Sequence, residues 1–410
     1  MKKQVIIIGG GASGLVAAIS AARQGADVTI LEHMDRVGRK ILSTGNGRCN
    51  MTNLAVRPEC YRCSQKQFPM KVLDRFSVWD TLTFFDEIGI VTKSKNGYIY
   101  PNSEQASSVL DTLRMEAEHG GVKIVCSCRI RTVKKAGKGK FKIETDQGVF
   151  DGDAVILATG SKAAPATGSD GSGYQLAAGL GHSLIKPLPA LVQLRCEGKH
   201  YKQLAGIRCE AALTLLVDGK KQASDEGELQ LTDYGLSGIP TFQISRFASV
   251  ALDQKRAVKV LIDYLPSQTL EETRRFLKRR IAKMGYRTSG ELLTGVINKK
   301  LALALLKLAG IRQEIPVSAV EQDRWEELLR QLKAFEAVVT AVNSFEQAQV
   351  CCGGVNTKEV NPGTMESRLV PGLYLAGELL DVDGICGGYN LQWAWSTGTI
   401  AGSFAGRMES

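Results

Sequence analysis

"IIIGGGASGLVAA", residues 6–18, is an unbroken apolar stretch that turns through three glycines into a run of small residues. "QVIII" reads as a fully buried strand and Ser13–Gly25 as a helix, so Gly9, Gly11 and Gly14 spell G-x-G-x-x-G between the two. Glycine at these places permits a tight turn, lets backbone approach a pyrophosphate and packs helix on strand. The free N–H groups at the helix start, around Ala12 and Ser13, then offer positive partial charge to phosphate. "DVTILE" is a second strand, and Glu32 at its end stands 21 residues beyond Gly11. An acid there accepts hydrogen bonds from an adenosine ribose and repels a 2′-phosphate. Strand, turn, helix and acid together predict an adenine dinucleotide. They leave FAD and NAD both open.

The far end of the chain makes the choice. "GELLDVDGICGGYNLQWAWSTGTIAG", residues 377–402, follows the apolar "LYLA" and reads as a buried strand, an acidic turn, a glycine pair and a helix. Gly377 and Glu378 place an acid suited to the hydroxyls of a ribityl chain. Gly388, Tyr389, Asn390 and Leu391 start a helix whose positive end suits the flavin pyrimidine edge, where negative charge grows on reduction. There is no second G-x-G-x-x-G after a strand and no Y-x-x-x-K of the short-chain dehydrogenase type. The two chain ends are expected to clasp one FAD.

The 410 residues suffice for two or three domains, and 44% hydrophobic with 23% charged residues is an ordinary globular composition. A net charge of +10 suits an anionic cofactor and substrate as well as nucleic acid, and 6% aromatic residues offer little for base stacking. No apolar run reaches the length of a membrane span; "LALALLKLAGI" is broken by Lys307. "MKKQVIIIGG" is too short an apolar stretch for a signal peptide. The expected compartment is the cytoplasm, and the ten cysteines are expected to be thiols.

Extended helical patterns run over 70–88 and 104–119. "VKIVCS", "CRIRTVKK" and "KFKIETD" read as neighbouring strands with "KKAGKGK" as their hairpin turn, and "DAVILATG" as another buried strand. After Pro187 and Pro189 the pattern alternates as in antiparallel strands, with "ALTLLVDGKKQ" and "GELQLT" as examples; residues 269–334 are helical and highly charged. The fold class is α/β. An FAD-binding domain made of residues 1–189 and 345–410 is interrupted by a β-rich segment, 190–268, and a helical one, 269–344.

"GRKILSTGNGRCNMTN", "LATG", "GSGYQLAAGLGH", "GLSGIPTFQIS", "GGVNTKEVNPGTMESR" and "GELLDVDGICGGYNLQWAWSTG" together resemble, in order and over nearly the whole chain, one bacterial family. Its members are the NAD(P)/FAD-dependent oxidoreductases, or aminoacetone-oxidase-type FAD-binding enzymes, including bile-acid-pathway flavoproteins. The resemblance implies a Rossmann-like FAD domain, similar to that of fumarate-reductase-type flavoproteins, interrupted by a β-barrel-like and a helical part. It also implies that Gly9, Gly11, Gly14 and Glu32 hold the ADP half. Arg39, Lys40 and the turn Thr44–Asn50, with Thr44, Gly45, Asn46, Cys49 and Asn50, would lie near pyrophosphate and flavin. Thr159 and Gly160 of "LATG" join them, and Glu378, Gly388 and Asn390 would hold ribityl and ring. The sequence departs from the family at Cys351, where threonine or another small residue is common.

Other chemistry-bearing residues read more plainly. Cys60 and Cys63 form a C-x-x-C outside any thioredoxin-like unit, with no second pair to complete a zinc site; they read as loop thiols. Cys351 and Cys352 border the flavin segment and read as buried structural thiols. His33, His119, His182 and His200 lack metal-ligand spacing, and His182 reads as structural. No metal is expected. Arg274, Arg275, Lys278, Arg279, Arg280, Lys283 and Arg287 give a basic helix, either a solvated face or a docking surface for an anionic substrate or NAD(P)H phosphates.

These readings converge on an FAD-dependent oxidoreductase that takes hydride from NAD(P)H and reduces a conjugated, enone-like small molecule. An oxidase of a small amine such as aminoacetone and a flavin-binding regulatory or RNA-associated protein stay open beside it. The substrate, the choice of NADH or NADPH, the proton donor and the oligomeric state are not written in the sequence.

Overall fold

The structure, a computed structural model, describes residues 2–408. The chain divides into two compact units, one built from both chain ends, up to Leu188 and from Gln349, and one from Pro189–Ala348.

The core of the first unit is a five-stranded parallel sheet. Its order is Leu373–Leu375, Ala154–Leu157, Gln4–Ile8, Asp27–Leu31 and Lys123–Val125. The inner strands are buried on both faces, which is why "VIII" and "AVIL" are continuously apolar rather than alternating. "VKIVCS" is the edge of this sheet and not a neighbour of the next two strands. Those, Ile130–Lys135 and Phe141–Thr145, make a separate antiparallel sheet with Gly148–Gly152. The helical pattern over 70–88 is broken into Phe68–Leu73 and Val78–Glu87. Ser77 breaks it by capping the second helix, its side chain accepting from Asp80 N while Asp80 returns the bond to Ser77 N.

The first helix, Ala12–Arg23, packs parallel to the last, Tyr389–Gly406. Three glycines set the contact. A Cβ at Gly398, Gly402 or Gly406 would lie 2.3, 2.1 or 2.7 Å from the carbonyl oxygens of Ser13, Ala17 and Ala21. Steps of four on both helices keep one glycine seam against one small-residue seam, and backbone touches backbone. Because Gly398 meets Ser13, the last helix projects eight residues, about 12 Å at 1.5 Å per residue, beyond the start of the first. Two helix N-termini therefore stand at different stations along one side of the sheet.

The second unit holds a closed six-stranded barrel, in the order Leu194–Cys196, Gly235–Gly238, Lys220–Thr232, Arg208–Val217, Val258–Asp263 and Phe335–Val342. Alternate residues of Arg208–Val217, namely Ala211, Leu213, Leu215 and Val217, point inward and are buried. The last strand falls in the stretch read as helical: the helices there are Leu270–Lys283, Lys299–Leu308 and Gln322–Lys333, and "FEAVVTAV" then closes the barrel. Helix Ile239–Asp253 was equally hidden within the β-rich stretch, with Pro240 in its first turn. All ten cysteines are free thiols. Among the described residues no helix is long and apolar enough to cross a membrane.

Candidate functional site

The first glycine turn is tight for a specific reason. A Cβ on Gly14 would sit 1.9 Å from the Gly9 carbonyl oxygen, while one on Gly11 would meet nothing within 4 Å. Gly14 thus locks helix to turn, and Gly11, the N-cap of the helix, faces open space with Ala12 and Ser13 behind it. Glu32 follows the strand Asp27–Leu31 directly and is 7% exposed. Its carboxylate accepts from Gly10 N and Met34 N, each at 2.8 Å, and lies 3.2 Å from His33 Nδ1. The acid is held rigidly beside the turn it was predicted to serve.

Gly377 joins the two ends of the chain. It has a left-handed φ of +74°, and a side chain there would lie 2.5 Å from Ser13 Oγ. Gly377 N donates to Thr397 Oγ1 at 2.8 Å and its carbonyl accepts from Trp393 Nε1 at 3.0 Å. The neighbouring Glu378 pairs with Lys40 Nζ at 2.7 Å and accepts from Ser161 Oγ at 3.1 Å. Lys40 Nζ also reaches Ala163 O at 3.4 Å. Residues 40, 161, 163 and 378 come from three distant parts of the chain, and the sequence reading named only Lys40 and Glu378. Arg39 turns outward to Asp35 Oδ1 at 3.4 Å.

The turn Thr44–Asn50 is strained into shape. Gly45, Asn46 and Cys49 are all left-handed, with φ of +56°, +54° and +59°. Thr44 Oγ1 donates to Ile41 O at 2.6 Å. Cys49 is fully buried, and burial pushes its thiol up to about 12 against a hydrogen bond from Thr44. The Asn50 amide, oriented to satisfy its neighbours, donates to Ile99 O and Thr52 O and accepts from Gly388 N. It clamps the glycine pair that precedes the last helix. Trp395 Nε1 donates to Met51 O at 2.9 Å and Thr52 Oγ1 bonds Gln392 Oε1 at 2.5 Å, so the turn and the last helix hold each other.

Asn390, at the start of the last helix, holds the loop before it. Its Oδ1 accepts from Gly384 N at 2.8 Å and its Nδ2 donates to Gly384 O at 3.0 Å, so both ends of the amide brace the "DVDGICGG" loop. Tyr389 donates through its hydroxyl to Ala55 O at 3.4 Å and accepts at its carbonyl from Tyr61. Leu391 is half-buried.

Thr159 and Gly160 follow the strand Ala154–Leu157, with Gly160 left-handed at φ +73°. The helix Ser172–Gly179 sits so close that a Cβ on Gly173 would lie 1.8 Å from Thr159 Oγ1. Thr159 Oγ1 and the Tyr174 hydroxyl are buried with no hydrogen-bond partner among the described residues. A buried orphan hydroxyl costs about 1–3 kcal/mol, so a pair of them beside the Glu378 segment marks a place where a bound group would supply acceptors. Burial raises the Tyr174 pKa, with Cys351 and Glu378 adding to it, and the hydroxyl keeps its proton. Tyr174 was missed in the sequence. Its signal was the compact "GSGYQL" that follows "LATGS".

The remaining candidates resolve individually. Cys60 Sγ faces Ala55 O at 3.5 Å, and Cys63 Sγ faces Thr357 Oγ1 at 3.3 Å, with burial raising the Cys63 pKa. Burial likewise raises Cys351. His182 lies between Glu359 and Ser367, at 3.0 and 2.9 Å. No group of three metal-ligating side chains occurs among the described residues. The basic helix is not one free face. Arg274 pairs with Glu326 and Glu271, and Arg280 donates to the carbonyls of Leu292 and Thr294. That leaves Arg275, Lys278, Arg279 and Lys283 exposed.

Comparison with known proteins adds four findings. The family described as "HI0933-like protein Rossmann domain" matches residues 3–404. A 3-dehydro-bile acid delta(4,6)-reductase of Clostridium scindens is 49% identical over 401 residues, covering 97% of this chain and 98% of its own. A ribosomal RNA dihydrouridine synthase of Haemophilus influenzae is 33% identical, covering 96% of each. Among solved structures, a 3-ketosteroid-delta4-(5alpha)-dehydrogenase of Rhodococcus jostii RHA1 in complex with 4-androstene-3,17-dione aligns at a TM-score of 0.47 and 15% identity, over 99% of this chain and 97% of that one.

Proposed function

The chain belongs to the HI0933-like Rossmann family and is an FAD-dependent oxidoreductase, and on that premise we propose that it takes hydride from NAD(P)H and reduces a conjugated, enone-like double bond of a steroid-type small molecule. The observation that carries the reading is the near-full-length likeness to the Clostridium scindens reductase. In this reading the hydride leaves the dihydronicotinamide, which departs oxidised, and the substrate's double bond gains that hydride and one proton.

FAD, when bound, relays the hydride between donor and acceptor. The chain's part is to hold and polarise. Backbone N–H groups at Gly11, Ala12 and Ser13 would take the phosphates, and Glu32 the ribose of the adenosine. Lys40 and Glu378 would meet the polar middle of the cofactor as a pair whose charges cancel. The unpartnered hydroxyls of Thr159 and Tyr174 would donate to it. The last helix projects its N-terminus beyond the first, where its positive end favours negative charge built up by reduction. We place this chemistry in the cytoplasm, where NAD(P)H is supplied.

The Haemophilus influenzae relative favours a second reading, in which the double bond belongs to a uridine of RNA. Oxidation of a small amine has no observation in its favour. One anaerobic experiment separates the three. The flavin is reduced with NADH or NADPH and then mixed with steroid enones or with unmodified ribosomal RNA. Reoxidation by the enones supports the reductase reading, and reoxidation by RNA alone transfers it to the second. If an amine reduces the oxidised enzyme and no enone reoxidises it, the reading fails.

A further inference from the structure

We propose that a basic cleft in the first unit binds the phosphates of NADPH and makes NADPH, rather than NADH, the electron donor; this rests on the reductase reading above. The cleft has a volume of about 440 Å³ and is lined by Lys66, Lys71, Lys358 and Arg368 over a floor that includes Phe68 and Val360. No acid lines it. All four cations are exposed, and none makes an ion pair among the described residues. The neighbouring acids are occupied elsewhere. Glu359 accepts from His182, Ser183 N and Ser183 Oγ, and Glu366 accepts from Gly372 N. Four like charges converging on one cleft repel each other unless an anion neutralises them.

The anion is selected by elimination and by charge. The glycine turn beside Glu32 is committed to an adenosine and repels a 2′-phosphate, and there is no second such turn in the chain. A nicotinamide donor must therefore place its phosphates on other groups. Its pyrophosphate carries about two negative charges and a 2′-phosphate about 1.5–2 more, which four cations match. A steroid carboxylate would bring one. The volume lies within the range that accepts a small ligand. The cleft also connects physically to the flavin side of the fold. Phe68 packs on Trp393 with ring centroids 6.2 Å apart, and Trp393 holds the Gly377 carbonyl. Ser64 N, at the entry to the cleft loop, donates to Asp381 Oδ2 at 3.0 Å.

The test uses the flavin-loaded enzyme. NADP⁺ and NAD⁺ binding to the oxidised enzyme is measured by calorimetry, and flavin reduction by NADPH and NADH by anaerobic stopped flow. The variants are Lys66→Ala with Lys358→Ala, Arg368→Ala alone, and Arg279→Ala on the exposed helix of the second unit as control. Wild type is expected to prefer NADPH about tenfold or more. Losing a charged contact raises the NADP⁺ Kd and the NADPH KM about tenfold or more. The limiting reduction rate, flavin retention and reoxidation by an enone stay within twofold. Arg279→Ala changes none of these. Equal use of both donors by wild type, or cleft variants with unchanged NADP⁺ affinity, overturns the proposal. Reduction by neither nucleotide overturns the donor reading instead, and the NADP⁺ affinity still decides the cleft.

Discussion

A methyl group at position 402 has no room. In Gly402→Ala the new carbon would lie 2.1 Å from the Ala17 carbonyl oxygen, against about 3.5 Å for ordinary contact. Neither side can yield by rotating a side chain, because both surfaces are helix backbone. The two helices must part by about 1 Å, and the same seam carries Gly398 and Gly406. Two effects oppose each other. Alanine's helix preference over glycine favours the variant by about 1 kcal/mol, while overpacking costs about 1–3 kcal/mol. Rigid backbone on both sides puts the cost at the upper end, so we expect a net loss of about 2 kcal/mol. For a unit of this size that lowers the midpoint by about 4–8 °C. The rise of free-flavin fluorescence on heating is the assay, because it follows the first unit alone and avoids a two-unit melting curve. Separation of the helices also lifts Ser13 from Gly377, so flavin retention should weaken before unfolding. A midpoint equal to wild type or higher would refute the close-packed seam and leave propensity as the dominant effect.

Glu32→Ala removes the acceptor of Gly10 N and Met34 N and should weaken FAD by about tenfold or more; unchanged retention on dilution would remove Glu32 from that role. Burial lowers the His182 pKa despite the Glu359 carboxylate beside it, so the native ring is neutral where the unfolded one is protonated. Its contribution is therefore present above about pH 6.5 and is lost as pH falls below that, through the lowered native value. Denaturant midpoints between pH 5 and 8 should show this decline in wild type and a flatter one in His182→Asn; parallel profiles would contradict it. With its thiol pushed up to about 12 by burial, Cys49 should escape alkylation in the native protein at pH 8, and mass spectrometry showing it modified at the rate of an exposed cysteine would exclude the buried thiol.

Much of the fold was legible because the signals were local. "VIII" and "AVIL" are continuous apolar runs, as strands buried on both faces must be. The strand–glycine–helix junction at Gly9–Gly14 is a property of thirteen consecutive residues. Boundaries were legible only where a cap or breaker marked them. Ser77 interrupts a helical period that the apolar spacing alone carries straight through. "FEAVVTAV" reads as the tail of a helical stretch until the barrel offers it Leu194–Cys196 and Val258–Asp263 as neighbours on either side. Strand propensity is a fit to such neighbours, and a single sequence does not name them.

The sequence by itself determined the chemistry of each end of the chain: a phosphate-ready glycine turn with an acid after it, and an acidic turn with a helix start. Only the tertiary structure decided which side chains remain available. It paired Lys40 with Glu378 across 338 positions, engaged both ends of the Asn390 amide within its own loop, and left the hydroxyls of Thr159 and Tyr174 without partners among the described residues. It also divided the cations, tying Arg274 and Arg280 into their own unit while leaving the four around the Lys66–Arg368 cleft without an ion pair among the described residues. The physical reason is common to all of these. Residue type fixes what a group can donate or accept, but whether that capacity is already spent depends on partners brought together by folding, often hundreds of residues apart.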